Sequence, residues 1–87
     1  MDEIRPPAEQ DDATEAAVLC HLLALHPIQL SLSELSREIT GGPGDFAQRD
    51  AIERAVRNLA AGGLLHRSGE LLLPSRAALR ADELLAR

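Results

Sequence analysis

The sequence predicts a mostly α-helical domain that carries a small β-hairpin, and three observations indicate this fold class. Apolar residues recur at three- and four-residue steps in separate segments, which is the spacing of a helix face. Capping residues and glycine or proline breakers bound these segments. Two short apolar stretches enclose a Ser-Gly pair, which is the pattern of a hairpin. At 87 residues with 45% hydrophobic content, the chain fits one domain with a modest core.

The first helix is predicted to run from Asp12 or Thr14 to Leu25. Acidic residues near its start suit the positive end of the helix dipole. The helix ends before Pro27, because the residue preceding a proline avoids helical geometry. Its core-facing residues follow helical spacing and are Val18, Leu22 and Leu25.

The residues before this helix, 1–11, are predicted to form a disordered acidic arm, and residues 12–87 are predicted to form the folded domain. Pro6, Pro7 and mostly polar neighbours leave the arm without apolar periodicity. Deletion of the arm is therefore expected to leave the melting temperature nearly unchanged.

Two capping boxes mark the next two helices. Ser31 and Glu34 form the first, in which the hydroxyl accepts from one backbone amide and the carboxylate accepts from the other. The helix that follows ends at the breaker cluster of residues 40–44. Asp45 and Gln48 form the second box, and a pair of glycines ends the third helix.

The two apolar stretches are predicted to pair as a hairpin over residues 64–73, around a tight turn at Ser68-Gly69. Residues 28–30 are predicted to form a very short strand, and Ser75 is predicted to cap a last helix. The residues expected to be buried together are those on the apolar faces: Val18, Leu22, Leu35, Ile39, Ile52, Val56, Leu59 and Leu72.

The order helix, short strand, helix, turn, helix, hairpin, helix resembles the winged helix-turn-helix superfamily over residues 14–87. Two segments carry the resemblance. Residues 30–35 lead into the second helix, and residues 55–67 run from an amphipathic helix through a Gly-Leu exit to a basic residue on the hairpin. The resemblance implies a three-helix core with a wing and a C-terminal helix. It also implies a recognition helix at about 46–61 and a wing at 64–73.

The resemblance implies a DNA-binding module of a transcription regulator, with the third helix in a major groove of double-stranded DNA. Arg54 and Asn58 are expected at the centre of the exposed face of that helix and Arg57 at its flank, where they can reach phosphates or base edges. His66 and Arg67 on the wing are expected to contact the phosphate backbone. Ordinary ion pairs within the helix are the alternative for the two arginines, namely Asp50 with Arg54 and Glu53 with Arg57.

The charge distribution favours a second function class. Residues 1–15 hold six acids and one Arg, whereas residues 16–87 hold eight of each, so the body is neutral. DNA-binding domains usually carry a basic excess, so a monomer is expected to bind DNA weakly and a homodimer is expected. The alternative is a winged-helix protein-interaction or dimerisation module without DNA binding. A positive band over the third helix and wing favours DNA, and a neutral or negative surface there favours a protein partner.

No pattern in the sequence points to an enzyme, a metal site or a cofactor. Cys20, His21 and His26 lie close together in sequence, but neighbouring helical residues point about 100° apart. A buried thiol and partly exposed imidazoles are therefore expected instead of ligands. A single cysteine excludes an internal disulfide and suits a reducing cytoplasm. No stretch approaches the ~20 apolar residues of a membrane span, and the N-terminus lacks a signal-peptide pattern.

Overall fold

The computed structural model describes residues 7–42 and 44–86. In chain order the elements are α1 (Pro7–Leu25), β1 (Leu30–Ser31), α2 (Leu32–Thr40), α3 (Phe46–Ala61), β2 (Leu65–Ser68), β3 (Leu71–Pro74) and α4 (Arg76–Leu85). Within this part of the chain, four helices and a three-stranded antiparallel sheet confirm the predicted mostly helical domain with a β-hairpin. None of the described helices combines the length and apolar character needed to cross a membrane.

Helix α1 begins at Pro7, earlier than the predicted start near Asp12. Proline is favoured at the first helical position, because its ring fixes φ and its missing amide has no helical partner there. Residues 7–11 of the predicted disordered arm are therefore helical, and residues 1–6 lie outside the described residues. The helix ends at its predicted residue, Leu25.

Side chains cap three helices as predicted. In α2, the Glu34 amide donates to Ser31 Oγ over 3.2 Å and the Ser31 amide donates to Glu34 Oε1 over 3.0 Å. The same reciprocal box joins Asp45 and Gln48 at the start of α3, with distances of 2.7 and 3.0 Å. The hydroxyl of Ser75 caps α4. These bonds satisfy backbone amides that the start of a helix leaves without helical partners.

The sheet has the strand order β1–β3–β2, so β3 is its central strand. Ser68 lies opposite Leu71, which makes the two-residue turn Gly69-Glu70, one residue later than predicted. A type II′ hairpin turn requires a positive φ at its first central position, and Gly69 supplies it with φ 63°. Strand β1 begins at Leu30, the last residue of the predicted short strand.

The core joins α1, α2, α3 and all three strands. Its buried members are Val18, Leu22, Leu30, Leu35, Ile52, Ala55, Val56, Leu59, Leu65 and Leu72. Every residue of the predicted core belongs to it except Ile39, which is half-buried and packs against its edge. Helix α3 packs against both α1 and α2, and its remaining face is exposed.

Candidate functional site

Helix α3 presents one continuous exposed face. Its buried residues are Ile52, Ala55, Val56 and Leu59. Exposed residues recur on the other side at steps of four, three and four positions, which places them on one face of the helix. We define the α3 face as these four residues: Phe46, Asp50, Glu53 and Arg57.

Arg54, a predicted base-contacting residue, lies at the border of the α3 face beside α1. Its Nη1 donates to Asp50 Oδ2 over 2.9 Å, which confirms the ion pair predicted within the helix. Its Nη2 donates to Asp11 Oδ1 of α1 over 3.2 Å. The side chain of Arg54 is 43% exposed, and two carboxylates share its guanidinium.

Asn58 has a similar partner on α1, because its Nδ2 donates to Glu15 Oε2 over 3.0 Å. Residues four apart lie on the same face of a helix. Asp11 and Glu15 therefore face α3 together, and Arg54 and Asn58 face α1 together. We call the two contacts, Asp11 with Arg54 and Glu15 with Asn58, the α1–α3 ladder.

Asp11 and Glu15 were not predicted from the sequence as partners of α3. Asp11 fell within the predicted arm, so no structural role was expected for its carboxylate. The sequence does contain one signal, because Asp11 and Glu15 are four residues apart and Arg54 and Asn58 have the same spacing. That signal becomes specific only when α1 and α3 are known to lie side by side, which depends on the tertiary fold.

The other three predicted DNA-contacting residues are exposed. Arg57 lies on the α3 face, and His66 and Arg67 lie on β2. The predicted pair of Arg57 with Glu53 is not among the ion pairs of the described residues. The structure thus leaves these cations accessible, whereas Arg54 and Asn58 contact α1. Contact of all five with DNA stays a prediction.

The surface formed by α3, the ladder and the β2–β3 hairpin carries no net positive charge in the described part of the chain, with the histidine taken as neutral. Four arginines and five carboxylates lie on these elements. The arginines are Arg49, Arg54, Arg57 and Arg67, and the carboxylates belong to Asp11, Glu15, Asp50, Glu53 and Glu70. The acids of α1 cancel the small positive charge that α3 carries alone. This balance differs from the basic excess that is usual for a surface that binds DNA.

The start of α3 exposes the only aromatic residue of the chain. Phe46 is 86% exposed at the first position of the helix. Interfaces between proteins are enriched in aromatic residues, which bury a large area at a small cost in conformational entropy. Phe46 adds an apolar side chain to the α3 face, and its burial against a partner is favourable.

The cysteine and histidines of α1 do not form a site. Cys20 is exposed, because it lies on the outward side of the helix. The expectation of a buried thiol was therefore wrong. His21 is half-buried, with Nδ1 2.9 Å from the carbonyl oxygen of Ala17. Within residues 7–42 and 44–86, no three His, Cys, Asp or Glu side chains are grouped to hold a metal.

Comparison with protein-family models, curated proteins and solved structures finds no match for this chain.

Proposed function

We propose that the chain is a winged-helix protein-interaction module, in which the β2–β3 hairpin is the wing. The α3 face and the wing are the surface that contacts a protein partner. One observation carries the proposal. Arg54 and Asn58, the central donors expected to contact DNA, are held by Asp11 and Glu15 of the same chain.

The ladder affects DNA binding in two ways. Carboxylates already accept two of the five N–H donors of Arg54 and one of the two of Asn58, so a phosphate or base edge competes with them for these side chains. The two acids also remain beside the phosphate backbone, where their charge opposes the approach of DNA. Both effects weaken DNA binding. Neither effect weakens contact with an uncharged surface of a protein partner.

The composition of the α3 face suits a protein partner. Phe46 provides an apolar anchor, and Arg57 provides a flexible cation at the other end of the face. Aromatic residues and Arg are the types that contribute most of the binding energy at protein interfaces. Asp50 and Glu53 lie between them and give the surface acceptors as well as donors. A second copy of the chain is one candidate partner, because most oligomers of soluble proteins are homo-oligomers.

The second candidate function is DNA binding as part of a transcription regulator, which the wing favours. His66 and Arg67 are exposed on β2, and no described carboxylate lies within ion-pair distance of them. Cations on a wing contact the phosphate backbone when a winged helix binds DNA. In this function the groove competes with Asp11 and Glu15 for Arg54 and Asn58.

Two substitutions of exposed apolar residues test the protein-interaction function. Phe46→Asp changes the α3 face, and Leu85→Asp makes the same kind of change on α4, where Leu85 is 85% exposed. Immobilised wild type and both variants are incubated with extract, and bound proteins are quantified. We expect a protein that wild type and Leu85→Asp retain and Phe46→Asp loses. Equal retention by all three proteins, or no retained protein, contradicts the proposal.

A further inference from the structure

A polar groove separates α2 from α3 beside the α3 face. Its volume is about 290 Å³, and its lining residues are Leu32, Ser33, Ser36, Arg37, Arg49 and Glu53. Glu53 belongs to the groove and to the α3 face, so a partner seated on that face reaches the groove. Apart from Leu32, every lining residue carries a polar or charged side chain. The groove is therefore suited to a polar group.

Ser36 is the buried part of this groove. It is 6% exposed, and its Oγ is the one buried side-chain polar atom of the described residues that has no hydrogen-bond partner. Buried hydroxyls are almost always hydrogen-bonded, so this Oγ is available to bond to a group that enters the groove. Ser33 lies one turn earlier on α2 and adds a second hydroxyl to the same lining.

Two arginines flank these hydroxyls from different helices. Arg37 of α2 and Arg49 of α3 are both exposed, and neither is in an ion pair with a described carboxylate. Glu53 follows Arg49 by four positions and also lines the groove. The lining thus carries two positive charges and one negative charge, which complements a single negative charge better than a polyanion.

We infer that the groove binds a carboxylate of the protein partner, presented by an Asp or Glu side chain or a chain terminus. The inference rests on the proposed protein-interaction function and names the chemistry of the partner. An arginine donates two parallel hydrogen bonds to the two oxygens of a carboxylate. The Ser36 hydroxyl supplies a further donor to the same carboxylate.

Nuclear magnetic resonance tests the inference with three small probes at constant ionic strength. The probes are N-acetyl-aspartate amide, the neutral N-acetyl-asparagine amide of the same shape, and inorganic phosphate. We expect saturable shifts of the Ser33 and Ser36 backbone amides and of the Arg37 and Arg49 Nε–H signals with the aspartate probe. Equal shifts with the asparagine probe, tighter binding of phosphate or shifts that do not saturate contradict the inference.

Matched variants show whether the named residues are responsible. Arg37→Ala and Arg49→Ala are each expected to weaken the aspartate probe at least about fivefold, because each removes a charge-assisted bond. Arg76→Ala removes the same charge from the exposed start of α4 and is expected to leave the affinity unchanged. Ser36→Ala is expected to weaken binding about two- to threefold. Equal effects of Arg76→Ala and Arg37→Ala overturn the inference.

Partner capture and binding of the aspartate probe test the α3 face and the groove separately. If Phe46→Asp abolishes capture of a partner while the aspartate probe does not bind, the interaction function stands and the groove has another role. If the probe binds but Phe46→Asp changes no capture, the groove site stands and the proposed partner surface is wrong.

Discussion

Arg54 of α3 and Asp11 of α1 are joined across the helix border, with Nη2 3.2 Å from Oδ1. The pair links a residue predicted to contact DNA to a residue predicted to lie in a disordered arm. It therefore changes two interpretations together. The start of the chain contributes to the folded domain from residue 7 onward, and its charge lies beside the surface that was expected to attract a polyanion.

The first prediction concerns the stability that this pair contributes. Asp11→Asn is expected to lower the free energy of unfolding by about 0.2–1 kcal/mol, because both side chains are partly exposed and solvent screens them. Asp12→Asn removes the same charge from an exposed neighbour on α1 and is the control. Denaturant unfolding at low and high salt measures the difference. Equal effects of the two substitutions contradict a specific contact with Arg54.

The second prediction concerns the ordered start of α1. Deletion of residues 1–11 is expected to lower the melting temperature, because it removes the first turn of α1 and the partner of Arg54. This expectation replaces that of a dispensable arm. Deletion of residues 1–6 leaves α1 whole and is the matched comparison. If thermal unfolding shows that the longer deletion melts no lower than the shorter one, residues 7–11 contribute nothing to stability.

The third prediction concerns the core beneath α3. Leu59 is 4% exposed and belongs to the cluster that joins α3 to α1 and the sheet. Leu59→Ala is expected to cost about 2–5 kcal/mol of unfolding free energy, through lost burial and the cavity left behind. Leu85→Ala deletes the same atoms from an exposed site and is expected to change stability by less than about 0.5 kcal/mol. A loss at Leu59 as small as that at Leu85 means that α3 is not anchored through this residue.

The fourth prediction concerns the pH dependence of the α2 cap. The Ser31 amide, and secondarily its hydroxyl, hold the pKa of Glu34 below its ordinary value of 4.5. A carboxylate with a lower pKa in the folded state stabilises the protein fully above pH 4.5. That contribution is lost as the pH falls through the folded-state pKa. Glu34→Gln is therefore expected to flatten the loss of stability below pH 4.5.

Direct titration of the Glu34 carboxyl by nuclear magnetic resonance provides the measurement, with unfolding curves below pH 4.5 for both proteins. Glu38→Gln is the control, because Glu38 is an exposed acid on the same helix. A Glu34 pKa at or above 4.5, or an equal change in pH dependence for both variants, contradicts the role of the capping box.

The sequence predicted the parts of the fold that depend on near neighbours. The capping boxes at Ser31 and Asp45 join residues three apart, so residue type and spacing suffice to identify them. The turn was predicted at Ser68-Gly69, one residue before its observed position at Gly69-Glu70. Both pairs place glycine in the turn, so residue type alone does not distinguish them. Only the register of β2 on β3 decides between them, and that register depends on which side chains face the core.

The candidate site was predicted less completely, because its decisive contacts join residues distant in sequence. Helical periodicity predicted Arg54 and Asn58 at the centre of the exposed face and Arg57 at its flank, because it describes α3 alone. In the structure Arg57 lies on the α3 face and Arg54 at its border, because α1 extends beside Arg54 and Asn58. The groove is likewise a product of how α2 and α3 meet, so the isolated Ser36 hydroxyl had no signature in the sequence.

DNA binding by the wild-type chain distinguishes the protein-interaction function from the DNA-binding function. Fluorescence anisotropy is measured with a mixed-sequence duplex at about 50 mM salt, where nonspecific electrostatic binding is strong. The protein-interaction function predicts no saturable binding below about 100 μM, because Asp11 and Glu15 bond to Arg54 and Asn58 and the surface of α3, the ladder and the hairpin carries no net positive charge. Saturable micromolar binding contradicts it, especially if Arg57→Ala and Arg67→Ala each reduce the salt dependence by about one unit of slope while Arg76→Ala does not.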